Sequence, residues 1–169
     1  MVSAPGFVLA ALVFFVAVGL PWLQARQPRA SAAQPIDFDH AVHAQQAGLD
    51  CLFCHRSVVV GSVAGMPSLQ QCMACHQVVS TGGRQAEMEK VRQAWQRQQP
   101  VEWVRIHRLP DHVIFTHEAH ARAGISCAAC HGDVAGMRRV TQVRPLHMAD
   151  CVNCHRATRA PVECIVCHR

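Results

Sequence analysis

The sequence has little of what normally fills a protein interior. Only 5% of its 169 residues are aromatic, none is tyrosine and lysine occurs once, although half of the residues are hydrophobic. So apolar a composition excludes a disordered chain, and ten cysteines are too many for an ordinary soluble enzyme. Because aromatic side chains are so few, a group other than side chains must supply part of the interior.

Charged residues are also few, and the positive ones form no cluster. Sixteen Lys and Arg against eleven Asp and Glu give a net charge of +5. Nucleic-acid binding normally uses a basic run or a basic helical face, whereas these arginines are scattered along the chain. We therefore expect no nucleic-acid partner.

Charge is absent altogether from the stretch Ala4–Leu23. About twenty residues at about 1.5 Å each can cross a hydrocarbon core of about 30 Å. Residues 1–23 are therefore predicted to be a transmembrane anchor, followed by a linker at 24–36 that is rich in Gln, Ala, Pro and Ser. A cleaved signal peptide is the alternative, since Ala30–Ala33 offers the small residues of a cleavage site. The length of the apolar run favours a single-pass anchor in the inner (cytoplasmic) membrane, with the rest of the chain on the periplasmic side.

Every cysteine belongs to a Cys-x-x-Cys-His unit. Because twelve of the 169 residues are histidine, finding one after all five pairs by chance has odds on the order of one in a million, and this spacing is the attachment signature of c-type haem. The two thiols bond to one haem, and the histidine becomes the proximal ligand of its iron. The sequence thus predicts five covalently bound haem c groups. Their residues are Cys51, Cys54 and His55; Cys72, Cys75 and His76; Cys127, Cys130 and His131; Cys151, Cys154 and His155; and Cys164, Cys167 and His168.

Other uses of paired cysteines fit this pattern less well. A zinc ribbon takes two pairs for each zinc, and five pairs cannot be divided in twos. A disulfide scaffold has no reason to place histidine after every second cysteine. Thioredoxin-like redox chemistry needs one such pair after a strand. Covalent haem is therefore the favoured interpretation.

Four of the remaining histidines form two matching pairs. The pattern Phe-x-His-x-x-His occurs at 38–43 and again at 115–120, in each case shortly before a haem unit. Two histidines three residues apart lie on one helical face and can reach separate irons. A lone histidine is more often a surface or hydrogen-bonded residue, but these pairs are repeated. We predict that they supply four distal iron ligands, namely His40, His43, His117 and His120.

The fifth iron must take its distal ligand from elsewhere. Met148, His147 and His107 are the candidates. Met148 is narrowly preferred because it lies three residues before Cys151, and thioether ligation would give that haem the highest potential. Methionines fill cores more often than they bind iron, so all three candidates stay open. His112 is predicted to face solvent.

The chain also carries an internal repeat. Val-Ala-Gly-Met at 63–66 recurs at 134–137, between two haem units in each case. Residues 84–98 are predicted to form an amphipathic helix. The predicted fold class is mostly coil and short α-helices wrapped around stacked c-type haems, with one N-terminal transmembrane helix. The haem domain is placed at 37–169, with duplicated halves at 37–76 and 114–155, a connector at 77–113 and the fifth site at 164–168.

These motifs resemble the pentahaem cytochrome c subunit of alternative complex III, a multihaem cytochrome of the class III type. The likeness covers nearly all of 36–169, including 63–76, 101–120 and Met148, and that family also has methionine at the last position. It implies a subunit held by one transmembrane helix that passes electrons from an iron–sulfur or molybdopterin-like subunit, near a quinol-binding membrane subunit, to a downstream cytochrome c or oxidase. The same type of cytochrome also occurs in menaquinone-linked molybdopterin-family complexes.

Two function classes follow from the residues. In an electron relay every iron has two protein ligands, and the protein tunes the potentials. A multihaem reductase of small nitrogen or sulfur oxyanions instead needs an open iron position and nearby acid–base groups. The chain has at least as many spare histidines and methionines as irons, so we expect an electron-transfer subunit rather than an enzyme.

Overall fold

The computed structural model describes residue 8 and residues 13–19, 31–79 and 81–169. Most of the predicted anchor and linker therefore lies outside the described residues. The described part of the anchor includes a π-helical turn at Phe15–Gly19. Among the residues that are described, no helix is both long enough and apolar enough to span a bilayer.

Short helices joined by coil make up the described part of the haem domain, as the sequence predicts. The α-helices are α1 (Cys51–Cys54), α2 (Leu69–His76), α3 (Gln85–Gln96), α4 (His117–Arg122), α5 (Ala128–His131), α6 (Met148–Thr158) and α7 (Cys164–Cys167). Tighter or wider helical turns lie at Val42–Gln46, Arg56–Val59 and Val134–Gly136. Within 31–79 and 81–169 there is no β-strand, and an isolated antiparallel bridge joins Val113 to His168.

Local sequence explains where the first helices begin. The carboxylate of Asp50 accepts a hydrogen bond from the Leu52 N–H at 2.7 Å and so caps α1. Ser68 and Gln71 form a reciprocal capping box at the start of α2, with both hydrogen bonds at 3.3 Å. Each cap stands just before a haem unit. In these two units, the residues just before the cysteines thus specify the helical turn that spaces them.

A small apolar core lies in the first half of the domain and the connector. It consists of Ile36, Met73 from α2, and Met88 and Val91 from α3. The predicted amphipathic helix is thus confirmed, since α3 turns its apolar face onto α2. Elsewhere many large apolar side chains remain exposed, and Ile165 between the last two cysteines is 83% exposed.

The two halves of the domain exchange contacts. In one direction, α4 begins against the first half, where the N–H groups of His117 and Glu118 donate to the carbonyls of Ser62 and Gly61 at 3.2 and 3.1 Å. In the other direction, the turn Val42–Gln46 packs on the turn Val134–Gly136. Each histidine pair is therefore positioned by the opposite half.

An ion-pair network also links the two halves of the domain. Asp37 binds Arg139 at 2.6 Å, and Asp39 binds Arg84 at 3.0 Å. Arg138 lies 3.7 Å from Asp37 and 4.0 Å from Asp39. The start of the first half is thereby tied both to the connector and to the second half.

Candidate haem sites

The five attachment units share one local geometry. All ten cysteines lie in the described part of the chain, and none of them is in a disulfide. Each cysteine pair lies in or at the start of a short helix, so that its two thiols are about one helical turn apart. The histidine that follows each pair stands at the end of that turn or directly after it. Every unit therefore presents two thiols and one imidazole together, as covalent haem attachment requires.

The distances between histidine rings show which side chains can share an iron. A metal–nitrogen bond is about 2 Å long and the ring centre lies about 1 Å further, so two imidazoles on opposite sides of one iron have centres about 6 Å apart. The ring centres of His43 and His76 are 6.0 Å apart, and those of His120 and His155 are 6.1 Å apart. The second histidine of each pair thus faces the second haem unit of its own half.

The first histidine of each pair lies near the first unit. His117 and His131 have ring centres 6.3 Å apart and nearly parallel planes, at 10°. In the other half, burial lowers the pKa of His40, and the charges of His55 and His43 lower it further, so His40 is within electrostatic range of His55. Three of the four predicted distal histidines therefore have a proximal ring about 6 Å away, and the fourth, His40, interacts electrostatically with His55 of the unit at Cys51.

Hydrogen bonds orient many of these rings for metal binding. A backbone carbonyl can only accept, so a histidine Nδ1 bonded to a carbonyl must carry the proton, and Nε2 is then left as the free ligand atom. Such bonds fix the ring of metal-bound histidines and make it more basic. They join Nδ1 of His43 to the carbonyl of Asp39 at 2.8 Å, His55 to Gly65 at 2.8 Å, His117 to Ser62 at 2.8 Å, His120 to Thr116 at 2.9 Å and His155 to Pro161 at 2.6 Å.

Burial keeps a further predicted ligand neutral. The pKa of His131 is lowered to about 4, mainly by burial and next by the charges of His107 and His117. Neutral imidazole is the form that binds a metal, so His131 is ready to bind iron at neutral pH. The donor set, the ring separations and the protonation all fit haem iron, which takes four ligands from the porphyrin and needs only two from the protein.

An apolar cavity lies beside the second haem unit. It has a volume of about 440 Å³ and adjoins Cys72. Phe38, Leu69, Trp95 and Trp103 are among the side chains that line it. Three of the chain's nine aromatic residues thus stand around one attachment unit, where a flat aromatic macrocycle would pack against them.

Electrostatic interactions between thiols show which haem units are neighbours in space. Burial raises the pKa of Cys51, Cys54, Cys130 and Cys151, and a thiol from a neighbouring unit raises each of these pKa values further. The neighbours are Cys127 for Cys51, Cys75 for Cys54, Cys154 for Cys130 and Cys167 for Cys151. Named by their first cysteines, the units therefore follow the order 72, 51, 127, 151 and 164.

The candidates for the fifth distal ligand lie in different surroundings. The ring of His107 is edge-on to His131 with centres 4.4 Å apart, which is too close for the two to share an iron. Met148 begins α6 and is 65% exposed, and His147 precedes it, with its N–H donating to the carboxylate of Asp150 at 2.9 Å.

The residue whose ring lies beside the fifth unit is His112. Its ring centre is 5.6 Å from that of His168. The sequence predicts only that His112 faces solvent, and its side chain is exposed. No local pattern marks it, because it belongs to neither Phe-x-His-x-x-His pair and approaches His168 only through tertiary structure.

Comparison with known proteins agrees with this geometry. Residues 23–110 match the class III cytochrome c family, and residues 113–169 match cytochrome c7 and related cytochromes c. The chain is also similar to the multihaem cytochrome c subunit of menaquinone reductase from Nitratidesulfovibrio vulgaris, with 31% identity over 162 residues that cover 80% of this chain and 77% of that protein. The protein therefore belongs to the class III cytochrome c family and is a multihaem cytochrome c.

Proposed function

We propose that the chain is a five-haem electron relay in a quinone-linked membrane complex. The paired histidines are the observation that carries this proposal. Three proximal histidines have the ring of a predicted distal histidine centred 6.0–6.3 Å away, and His40 interacts electrostatically with a fourth, His55. When bound, the haems supply one-electron redox chemistry. Two protein ligands on each iron leave no position for a substrate, which distinguishes a relay from a reductase.

The row of attachment units supports the same function. Thiols of successive units interact, so neighbouring porphyrins would be held close together. The unit at Cys72 stands at one end of the row and the unit at Cys164 at the other. Electrons would therefore enter at one of these ends and leave at the other, and each end must be within reach of a partner.

Two kinds of parent complex are consistent with the chain. The motifs resemble the alternative complex III subunit, in which electrons leave a quinol-oxidising iron–sulfur subunit for a monohaem cytochrome or terminal oxidase. The second candidate is a menaquinone-reducing complex, and the 31% identity to a menaquinone reductase subunit favours it. In both cases the partners are an iron–sulfur or molybdopterin-like subunit and an integral membrane quinone-binding subunit.

The direction of electron flow distinguishes these two candidates. We would purify the native complex and follow the haem absorbance after adding either menaquinol or menaquinone with an artificial electron donor. Rapid haem reduction by menaquinol indicates a quinol-oxidising complex. Rapid menaquinone-dependent oxidation of the reduced haems indicates the second candidate. Haems that exchange electrons with neither compound would contradict the quinone link.

Haem number and coordination test the relay itself. Intact mass should exceed that of the polypeptide by five haems, and four or fewer in matured protein would contradict the count. Nitrite, hydroxylamine or cyanide added to the oxidised protein should leave its spectrum nearly unchanged, because every iron already has two protein ligands. A large spectral change in the wild-type protein would indicate an open iron and favour a reductase.

We also propose that the haem domain is held on the periplasmic side of the inner membrane by residues 1–23. The uncharged run Ala4–Leu23 supports this, since it has the length of a membrane span. Protein in native membranes should resist high-salt and carbonate washes and should retain its N-terminus. N-terminal sequencing that begins at Ala33 or Gln34 would indicate a cleaved signal peptide instead.

A further inference from the structure

We propose that His112 is the distal ligand of the haem iron attached at Cys164 and Cys167, opposite His168. This assignment replaces Met148 and makes the ligand set of all five haems identical. It rests on the proposed five-haem relay and adds the one ligand that sequence patterns left open.

The ring geometry is the first support. The ring centres of His112 and His168 are 5.6 Å apart, and their planes differ by 21°. Histidines placed to share an iron elsewhere in the protein have centres 6.0–6.3 Å apart, with interplanar angles between 10° and 59°. The separation at the fifth unit is within about 0.5 Å of this group, a difference that small side-chain rotations can supply.

The backbone holds these two residues together. Val113 forms an antiparallel bridge with His168. The Ile114 N–H donates to the carbonyl of Cys167 at 2.8 Å, and the Arg169 N–H donates to the carbonyl of His112 at 3.3 Å. The connector segment that carries His112 is thus paired directly with the fifth attachment unit, so the approach of the two rings does not depend on a flexible side chain alone.

Five of the six other candidate histidines are associated with other haem units. His43, His117 and His120 face three other proximal histidines, and His40 interacts electrostatically with His55. His107 packs edge-on against His131 at 4.4 Å. The sixth, His147, caps α6, the helix of the unit at Cys151, whereas the ring of His112 stands next to that of His168.

Met148 occupies a different place. It starts α6, the helix that carries Cys151, Cys154 and His155, and its side chain points away from the polypeptide, with 65% exposure. Met148 and His155 are seven residues apart, which is two turns of the same helix, so they cannot stand on opposite sides of one iron. Met148 would have to reach the fifth unit from an exposed position, whereas His112 is already there.

The chemical consequence concerns the end of the row. A thioether ligand raises a haem potential relative to a second imidazole. With His112 as the ligand, the haem at Cys164 has the same donor atoms as the other four. Its potential is then set by burial and nearby charge rather than by a different ligand, and the end of the row is not a high-potential trap for electrons.

The test uses the matured five-haem protein and its spectra. The variants are His112→Met and His112→Ala, with Met148→Leu and His147→Ala as matched controls. We expect wild-type protein to lack the weak near-red sulfur-to-iron band of a His/Met haem. His112→Met should gain that band and raise the potential of one haem of the five. His112→Ala should make one haem high-spin and able to bind added cyanide or imidazole, while both controls should keep the wild-type spectrum.

The opposite pattern would overturn the assignment. In that pattern, the wild-type protein shows a sulfur-to-iron band, and Met148→Leu abolishes this band. The spin state of the haems in His112→Ala is also unchanged. If His112→Ala does not incorporate its haems, the spectra of the wild-type protein, His112→Met and Met148→Leu are sufficient to test the assignment. A failure of the relay proposal looks different, because the wild-type protein itself would then contain fewer than five haems or bind cyanide.

Discussion

The two halves of the haem domain hold their histidine pairs with the same local geometry. In the first half, the ring of Phe38 is 4.8 Å from that of His40, at 83°, and 4.3 Å from that of His43, at 26°. In the second half, Phe115 is 4.8 Å from His117, at 90°, and 4.6 Å from His120, at 29°. One phenylalanine thus spaces both rings of each pair.

The surroundings of these pairs differ. The buried apolar cluster contains Ile36, Met73, Met88 and Val91, all of which lie before or within the connector. Across 114–155 the structure buries only Gln142, which is polar. The same arrangement of the histidine pair is therefore supported by a side-chain core in one half. In the other half, contacts with the opposite half and the attached porphyrins would support it.

Removing one haem from each half should give the largest effect and test this difference directly. Cys51→Ala with Cys54→Ala removes the first haem of the first half, and Cys127→Ala with Cys130→Ala removes its counterpart. We expect the second-half variant to lose about 2 kcal/mol more stability, since no side-chain core compensates there. In a domain of this size, that difference makes the Tm of the second-half variant about 6 °C lower than that of the first-half variant. Thermal unfolding followed by circular dichroism, after four haems are verified by mass, would measure it. Equal Tm values for the two variants would contradict the comparison.

Truncating the core should weaken the first half specifically. Met88 is 4% exposed, and we expect Met88→Ala to lower the free energy of unfolding by about 2–5 kcal/mol. Val78 is 87% exposed, so Val78→Ala serves as the control and should change it by less than about 0.5 kcal/mol. Guanidinium denaturation of the holoproteins would give both values. Similar losses in the two variants would show that the cluster is not a core.

A glycine in the first repeat should matter through its backbone. Gly65 has φ +75°, and an added Cβ would lie 3.0 Å from Ser57 Oγ. Its carbonyl accepts the hydrogen bond from His55 Nδ1. We expect Gly65→Ala to cost about 1–2 kcal/mol and to shift the electron paramagnetic resonance signal of one haem.

Gly61→Ala is the matched control for that change. Gly61 has no positive φ, and an added Cβ would meet only the Ser57 carbonyl at 3.6 Å, an ordinary contact. It should leave the spectrum and stability nearly unchanged. If both variants behave alike, the orientation of His55 does not depend on the Gly65 carbonyl.

The ion pairs between the halves should have the smallest effect, visible mainly in acid. The hydrogen bond from Arg139, followed by the charges of Arg139, Arg84 and Arg138 and opposed by burial, lowers the pKa of Asp37 below its usual value. A lowered folded-state pKa stabilises the fold above the unfolded pKa of about 4, and this contribution is lost as the pH falls through the folded value. Asp37→Asn should therefore lower Tm modestly at pH 7 and reduce the further loss below pH 4.

Glu89→Gln provides the comparison for Asp37→Asn. Glu89 pairs with Arg92 within α3 at 3.7 Å and is half exposed, so it joins no separate parts of the domain. Thermal melts of both variants across pH would separate the two roles. An acid response of Asp37→Asn that equals that of wild type would contradict a role for this network between the halves.

Sequence patterns predicted the local features well. The amphipathic helix expected at 84–98 is found at Gln85–Gln96, because Met88 and Val91 recur at helical spacing and need a face to cover. Short helices joined by coil were expected and are found. Contacts between distant segments were not predictable in this way. Asp37 and Arg139 are 102 residues apart, and no local sequence pattern around either residue predicts that they pair.

The sequence by itself determined the chemistry of haem attachment, since two thiols and an imidazole act within five consecutive residues and need no tertiary structure to be recognised. It also identified the two histidine pairs, because their spacing repeats. Only the tertiary structure decided which imidazole faces which unit. His43 meets His76, and His112 meets His168 across 56 residues, through a bridge between the connector and the C-terminal segment. Whether an imidazole can bind an iron depends on its position in space. A distance of about 6 Å between two rings from distant segments cannot be predicted from local sequence spacing.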